Sequence, residues 1–292
     1  MRLAVTGATG QVATALQSLG PAAGLDVITL SRPDFDLERP QTLATSLAAA
    51  RPDMLISAAA YTAVDQAESE RERAHLINAV APGVLAEAAR SLDVPIVHLS
   101  TDYVFDGRKT GPYLETDSTG PQTVYGETKL AGEAAVAAAA DVFAILRTAW
   151  VYGPIGKNFV RTMLRLAETR DEVSVVADQV GNPTSAQDIA AGAIKVAKAL
   201  KRGEGASGVY HMTAQGQATW AEFAQAIFEG ARNRGLAFAQ VRQISTSDYP
   251  TPARRPANSR LDCGRIHSVF DVAFPDWRDG LGRCLDQIKE QG

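Results

Sequence analysis

Tyr125 and Lys129 stand four residues apart in the run Val124-Tyr-Gly-Glu-Thr-Lys-Leu130. On a helix, residues i and i+4 share a face. An ammonium beside a phenol favours the phenolate and lowers the tyrosine pKa from its usual ~10. A tyrosine tuned in this way exchanges a proton with an alcohol or sugar oxygen near neutral pH. Such a reaction needs a hydride carrier, and the chain opens with a turn suited to one. Gly7-Ala-Thr-Gly-Gln-Val-Ala13 has the pattern G-x-x-G-x-x-A. Gly7 permits a tight exit from a strand, Gly10 lets the backbone approach a pyrophosphate, and Ala13 keeps the next helix near the sheet. Thr9, Gln11 and Val12 complete the turn, and the helix start offers free N–H groups and its positive dipole end to phosphates. A glycine pattern alone is weak evidence, and its bland reading is a tight turn. Here it follows a strand pattern and opens a helix pattern, the context that gives it meaning.

The residues around the turn bear on which dinucleotide is held. An acidic residue ending the second strand would bind a ribose 2′-hydroxyl. That strand instead ends Leu30-Ser31-Arg32. Ser31 and Arg32 suit a 2′-phosphate, since a guanidinium matches phosphate geometry; the bland reading of Arg32 is an exposed loop charge. NADPH is therefore the expected reductant, with NADH as the alternative. Asp34 and Asp36 are turn or adenine-side residues, Leu37 follows among the cofactor contacts, and Ala58-Ala59-Ala60 leave room for adenosine and ribose. Asn78 either organises a proton relay behind Lys129 or ties its helix to the sheet.

Strand patterns at 2–6, 26–30, 54–57, 95–100 and 142–147 alternate with helix patterns at 11–19, 40–51, 71–91 and 123–140. Alternation of this kind predicts an α/β fold, a Rossmann-type doubly wound parallel sheet with a smaller C-terminal substrate-binding lobe. Ligands then bind at the carboxyl ends of the strands. Residues 173–177 read as a further strand of the main sheet and 186–200 as a helix returning to it. The expected division is 1–149 with about 171–200 for the dinucleotide, and about 150–170 with 201–292 for the substrate.

Composition narrows the function classes. The chain has 292 residues, 46% hydrophobic and 21% charged, with a formal net charge of −4. No basic cluster appears, so nucleic acid is not an expected partner. Two cysteines, Cys263 and Cys284, form no CxxC pair, and His75, His98, His211 and His267 are scattered, so no metal site is expected. Cysteine usage fits a reducing cytoplasm, and no apolar run is long enough to span a membrane.

A hydroxyl at a strand's carboxyl end suits a substrate carbonyl, and Thr101 stands in Ser100-Thr-Asp-Tyr-Val-Phe-Asp-Gly107. With Thr101, Tyr125, Lys129 and the glycine turn, the chain resembles the extended short-chain dehydrogenases. Within that group it is similar to the dTDP-4-dehydrorhamnose reductases. The matching stretches are Ala58-Ala-Ala-Tyr-Thr-Ala-Val-Asp65, Ser100 to Gly107, Val124 to Leu130, Arg147-Thr-Ala-Trp-Val-Tyr-Gly153, Asn158-Phe159, Asp178-Gln179 with Gly181 and Pro183-Thr184, and Tyr249 to Pro256 with Leu261-Asp262. The resemblance implies NAD(P)H-dependent reduction of a nucleotide-linked 4-keto-deoxysugar. It implies that Tyr125 donates the proton, Lys129 binds the nicotinamide ribose, and Thr101 hydrogen-bonds the same substrate oxygen. Asp102, Tyr103, Trp150, Asn158 and Arg254 are expected to touch the dTDP-deoxysugar; Arg255 beside Arg254 is a second cation for the diphosphate. The bland readings are a turn cap for Asp102, packing for Tyr103 and Trp150, and structural ion pairs for the arginines. Some members of the family dimerise through a magnesium site built from glutamates. Glu290 stands alone at the matching end, so a monomer or an unbridged homodimer is expected.

Two rival readings are weighed. A sugar-nucleotide 4,6-dehydratase carries an Asp-Glu pair after the threonine, whereas here Tyr103 follows Asp102. An epimerase of the same fold would keep its NAD bound through each turnover. In a different class, the chain is also similar to the non-catalytic β subunit of methionine adenosyltransferase, but the intact Thr101, Tyr125 and Lys129 favour catalysis.

Overall fold

The computed structural model describes residues 1–291. Six strands form the central sheet: β1 (Arg2–Thr6), β2 (Asp26–Leu30), β3 (Met54–Ser57), β4 (Ile96–Thr101), β5 (Phe143–Thr148) and, from far along the chain, Gly208–His211. Their spatial order is β2-β1-β3-β4-β5 and then Gly208–His211, with every pairing parallel. The chain order reverses between β1 and β3, which opens the crevice where ligands bind in doubly wound sheets.

Successive side chains of a strand point to opposite faces, and both faces here are apolar. Leu3 and Val5 join a core with Met54, Ile56 and Val97 on one side, while Ala4 meets Leu55, Ile96 and Ile145 on the other. The first side is covered by α1 (Gln11–Leu19). The other carries α2 (Pro40–Ala50) and α5 (Ala81–Ser91), the latter preceded by α3 (Val64–Ala67) and α4 (Arg71–His75). α6 (Val124–Ala139) packs on α5 and carries the Tyr/Lys pair.

The expected helix 71–91 departs from regularity. Between α4 and α5 the backbone makes a π-turn over Leu76–Val80. Pro82 has no N–H to offer the Asn78 carbonyl, and its ring would collide with it in a regular helix; a wider turn relieves both. The Asn78 carbonyl faces α6, where a methyl on Gly132 would stand 2.0 Å from it. Asn78 itself is wholly buried; its amide accepts from Tyr61 N and donates to Tyr61 O and to Thr128 Oγ1. Its side chain ties the helix to α6 and to the segment after β3 rather than to the sheet.

The C-terminal half begins with β6 (Val151–Tyr152), α7 (Phe159–Ala167), β7 (Glu172–Val176), β8 (Val180–Gly181) and β9 (Thr184–Ser185). α8 (Ala186–Lys201) returns to pack on α1 beneath the main sheet. β10 (Gly208–His211) is the sixth strand of that sheet, and β11 (Ala218–Thr219), α9 (Trp220–Arg232), β12 (Gln240–Ile244), α10 (Gly264–Phe270) and α11 (Trp277–Gln291) complete the chain. The strand expected at 173–177 does not enter the main sheet. β7 pairs with β12 in a separate two-stranded parallel sheet, and β10 takes the position beside β5. The burial pattern supplies the reason: Val173 and Val175 are buried while Glu172 and Ser174 are exposed. That alternation belongs to a sheet covered on one face, whereas β3 is buried at every residue. No helix among the described residues is long and apolar enough to cross a membrane.

Candidate active site

The glycine turn sits at the crevice. β1 ends at Thr6, whose hydroxyl accepts the backbone N–H groups of Ala58 and Ala59 at 3.0 and 2.9 Å, so the ends of β1 and β3 are locked together. Gly7 follows at φ +86°, a left-handed conformation that a side chain disfavours, and a methyl there would press to 3.3 Å on the Ala59 Cβ. Gly10 is the N-cap of α1 and gives its first turn no side-chain acceptor. A helix start left open in this way is an anion site in waiting. A methyl on Gly10 would meet nothing within 4 Å, so the fold itself does not demand glycine there. The Gln11 Oε1 is buried without a hydrogen-bond partner, beside Gly153. An open helix start and a glycine that the fold does not need together fit a dinucleotide pyrophosphate, whose oxygens accept from backbone N–H groups; the Gln11 oxygen, itself an acceptor, needs a donor instead.

The other cofactor-side residues divide. Thr9 is exposed on the turn, Val12 packs on the core beneath it, and Ala58, Ala59 and Ala60 are half-buried along the crevice. Ser31 is half-buried and Arg32 exposed at the end of β2. Asp36 accepts the Glu38 N–H in a turn, and Leu37 packs against the core on the α2 side. Asp36 thus serves the turn, one of the two places expected for it.

Thr101, Tyr125 and Lys129 come together at the carboxyl end of β4. Thr123 caps α6 by accepting the Gly126 N–H at 3.1 Å, and Glu68 accepts the Val124 N–H at 3.0 Å. Both bonds fix the first turn of the helix, where Tyr125 lies. Gly126 is required by a close approach: a methyl there would stand 2.2 Å from the Tyr103 carbonyl oxygen. The Tyr103 ring meets Tyr125 edge-on, with centroids 5.5 Å apart.

Electrostatics at the pair differ from the expectation. Burial pushes the Tyr125 phenol well above its ordinary value, and a hydrogen bond with Thr101 only partly offsets this. Lys129 does not lower it, because its ammonium reaches past the phenol into β4. There Nζ donates to the Leu99 carbonyl at 2.7 Å and lies 3.1 Å from His98 Nε2. Burial lowers Lys129 to about 8, against the opposing pull of Glu133. Sharing a helix face set the direction of the two side chains but not how far the longer one extends.

Asp102 is buried next to Thr101, whose hydroxyl donates to its Oδ1 at 3.0 Å, while its Oδ2 has no partner. Burial raises this carboxyl to about 6. Tyr103 is raised to about 12 by burial, opposed by Arg255. Arg255 donates to Asp65 at 2.5 Å and to the Tyr103 hydroxyl at 3.4 Å, tying the 249–256 segment to α3 and to the turn after β4. Arg254 is exposed and pairs with no carboxylate among the described residues, so the neighbour of the expected residue is the one that reaches the cleft.

Trp150 holds a left-handed conformation, φ +49°, at the end of β5. One face of its indole lies against Gly181, where a methyl would stand 2.4 Å from the ring, and the other stacks on Trp220 with centroids 3.5 Å apart. Both faces are covered, so only its edge remains for a ligand. Asn158 departs from its expected role. Its Oδ1 accepts the Arg161 N–H at the start of α7, and its Nδ2 donates to the Gly153 and Ile155 carbonyls. Both N–H donors are spent on the preceding loop, and the oxygen serves the cap.

The sequence reading passed over His98, Asp65 and Glu133. Glu133 lies one helical turn beyond Lys129 and thus on its face, a signal available from spacing. Asp65 closes one of the matching stretches. His98 had a signal in its strand position: three residues before Thr101, with Leu99 and Ser100 between.

The family model described as RmlD substrate binding domain matches residues 1–290. The chain belongs to this family. It is 49% identical over 294 residues to a dTDP-4-dehydrorhamnose reductase of Sinorhizobium fredii, covering 100% of this chain and 99% of that relative. To the dTDP-4-dehydrorhamnose reductase of Escherichia coli it is 44% identical over 296 residues, covering 99% and 98%. Among solved structures, a Clostridium acetobutylicum dTDP-4-dehydrorhamnose reductase superposes with a TM-score of 0.92 at 36% identity over 99% of this chain and 100% of that one. The Bacillus anthracis enzyme, solved in complex with NADP, gives 0.91 at 34% identity over 98% and 99%. The RmlD family thus spans nearly the whole chain, glycine turn and C-terminal lobe alike.

Proposed function

We propose that this chain is an NAD(P)H-dependent oxidoreductase that reduces the C4 ketone of dTDP-4-dehydro-L-rhamnose to dTDP-L-rhamnose, the last step of dTDP-rhamnose biosynthesis. The observation that carries the reading is the convergence of Thr101, Tyr125 and Lys129 on the crevice that begins at Gly7, in a chain similar along its whole length to reductases of that substrate. Gly7, Gly10 and Gln11 would hold the pyrophosphate, with Ser31 and Arg32 at the 2′-phosphate. Bound there, NADPH supplies the hydride, and NADH serves as a second donor.

The protein's own part is proton supply and charge stabilisation. Burial keeps the proton on Tyr125 until negative charge grows on the ketone oxygen, and the phenol then releases it. Thr101, whose one hydroxyl proton goes to Asp102 in the free protein, would turn it to the same oxygen and so lower the barrier where charge develops. Lys129, anchored on β4 through the Leu99 carbonyl and His98, holds the nicotinamide ribose. On this reading Asp102 and Tyr103 contact the sugar and Arg255 the diphosphate, with Arg254 beside it; the unpartnered Asp102 Oδ2 and the Arg255–Tyr103 contact support the assignment. The substrate is a small nucleotide sugar, and the enzyme acts in the cytoplasm as a monomer or homodimer; both cysteines are free thiols.

A coupled assay tests this directly. Purified protein is given dTDP-4-dehydro-L-rhamnose and NADPH, the absorbance of NADPH is followed, and the sugar is identified by NMR. NADPH loss with formation of dTDP-L-rhamnose is expected. No turnover, or a product of opposite configuration at C4, would overturn the assignment.

A further inference from the structure

Lys129 is only 2% exposed, yet it has no carboxylate of its own. Glu133, the nearest, is committed to Arg147 through bonds of 2.9 and 2.6 Å and accepts the Ser100 hydroxyl at 2.5 Å. The ammonium is held instead by two neutral groups of β4, the Leu99 carbonyl at 2.7 Å and His98 Nε2 at 3.1 Å. His98 has no exposed surface, and its Nδ1 lies 3.1 Å from Ser57 Oγ at the end of β3.

Donor and acceptor counting fixes the protons. An ammonium only donates, so His98 Nε2 must accept and the ring must be neutral. The ring proton then sits on Nδ1 and is donated to Ser57 Oγ. Burial and the Lys129 charge both hold the imidazole unprotonated, in keeping with this assignment. An ammonium has three donors. Two are spent on β4, and the third is uncommitted.

We propose that His98, fixed by Ser57 as the Nδ1–H tautomer, is a positioning residue for the reaction: it keeps Lys129 protonated and turned so that one N–H faces the cleft. This rests on the role given to Lys129 above. The other titratable groups about the ammonium are Tyr125 and Glu133 on its own helix, Asp102 on the turn after β4, and Arg147 on β5, which neutralises Glu133. Arg71 on α4 pairs with Glu127 on the exposed side of α6.

Three variants and one spectrum test the proposal. Removing the acceptor destabilises the charged lysine, so its pKa falls. Activity that needs the ammonium is lost as pH rises through that pKa, and the alkaline limb of the kcat profile moves toward acid. For His98→Leu the expected move is about one pH unit or more, the scale of a hydrogen bond to a charged group, with KM changing less than kcat. His98→Gln, whose amide oxygen can accept in place of Nε2, returns the limb toward the wild-type position. Ser57→Ala, which frees the tautomer without emptying the core, gives a smaller move in the same direction and serves if His98→Leu does not fold. Histidine 15N NMR of the cofactor-free protein, assigned with His98→Gln, should show a neutral His98 protonated at Nδ1 and not titrating near neutral pH. That spectrum stands whether or not dTDP-4-dehydro-L-rhamnose is the substrate. An Nε2–H tautomer, a titrating His98, or a limb that stays in place in both His98→Leu and Ser57→Ala would overturn the proposal. Equal impairment of His98→Leu and His98→Gln with an unmoved limb would reduce His98 to a packing residue.

Discussion

Gly126 offers a way to displace the Tyr125 turn without touching any reacting group. A methyl placed on it stands 2.2 Å from the Tyr103 carbonyl oxygen and 3.0 Å from the Pro121 Cβ. Carbon and carbonyl oxygen ordinarily approach to about 3.3 Å, so the start of α6 and the Tyr103 turn must part by roughly 1 Å. The obstacle is backbone, which has no rotamer to yield. Overpacking of this kind costs about 1–3 kcal/mol, while alanine in place of glycine returns about 1 kcal/mol of helix propensity. The net loss is at most about 2 kcal/mol, and at about 3 °C per kcal/mol for a chain of this size the Tm falls by no more than roughly 6 °C. Catalysis is far more exposed, since a 1 Å misplacement costs on the order of 10²-fold. Gly126→Ala is therefore expected to remain folded with kcat down about 100-fold, read by NADPH oxidation alongside thermal unfolding by circular dichroism. Gly132→Ala, whose methyl meets the Asn78 carbonyl at 2.0 Å, supplies the comparison: a similar loss of Tm with a much smaller fall in kcat. Wild-type kcat with a raised Tm in Gly126→Ala would show that helix propensity alone governs the position, and the steric reasoning would fail.

Three further outcomes are expected. Gly10→Ala should leave Tm unchanged or slightly higher, because the methyl meets nothing in the fold, while NADPH affinity measured by fluorescence titration falls about tenfold or more; unaltered affinity would remove Gly10 from the cofactor site. Arg32→Ala should weaken NADPH by about tenfold, the scale of one charge-assisted hydrogen bond, and spare NADH, whereas equal losses on both would refute the 2′-phosphate contact. Tyr125→Phe should lower kcat about 10²-fold or more with NADPH binding kept, and near-full activity would remove the phenol as proton donor.

The central sheet was legible because its strands are buried on both faces and so read as continuous apolar runs, as in Leu3-Ala-Val5 and Met54-Leu-Ile56. The glycine turn was legible because its spacing encodes backbone geometry. What escaped was long-range. Nothing local in 173–177 and 208–211 says which of them pairs with β5, although the alternating burial of β7 points to a one-faced sheet. The π-turn at Leu76–Val80 follows from Pro82 only once Asn78 is known to face α6. In the site, spacing gave the shared face of Tyr125 and Lys129 but not the reach of the ammonium to Leu99 and His98. Capping explains Asn158: an Asn before a helix has a local use for its amide, and the bonds to Gly153 and Ile155 spend both of its N–H donors.

The place of β10 has a consequence for how the chain can be cut, copied or made. The edge of β5 is closed by residues that come after α8, so no single cleavage separates a complete nucleotide half from the rest. A fragment ending with α8 would leave one edge of β5 unpaired, an invitation to strand addition from another molecule. During synthesis the same edge stays open until His211 has emerged. Any exchange of the C-terminal lobe between relatives must therefore leave Gly208–His211 behind, as two grafts on either side of a retained strand.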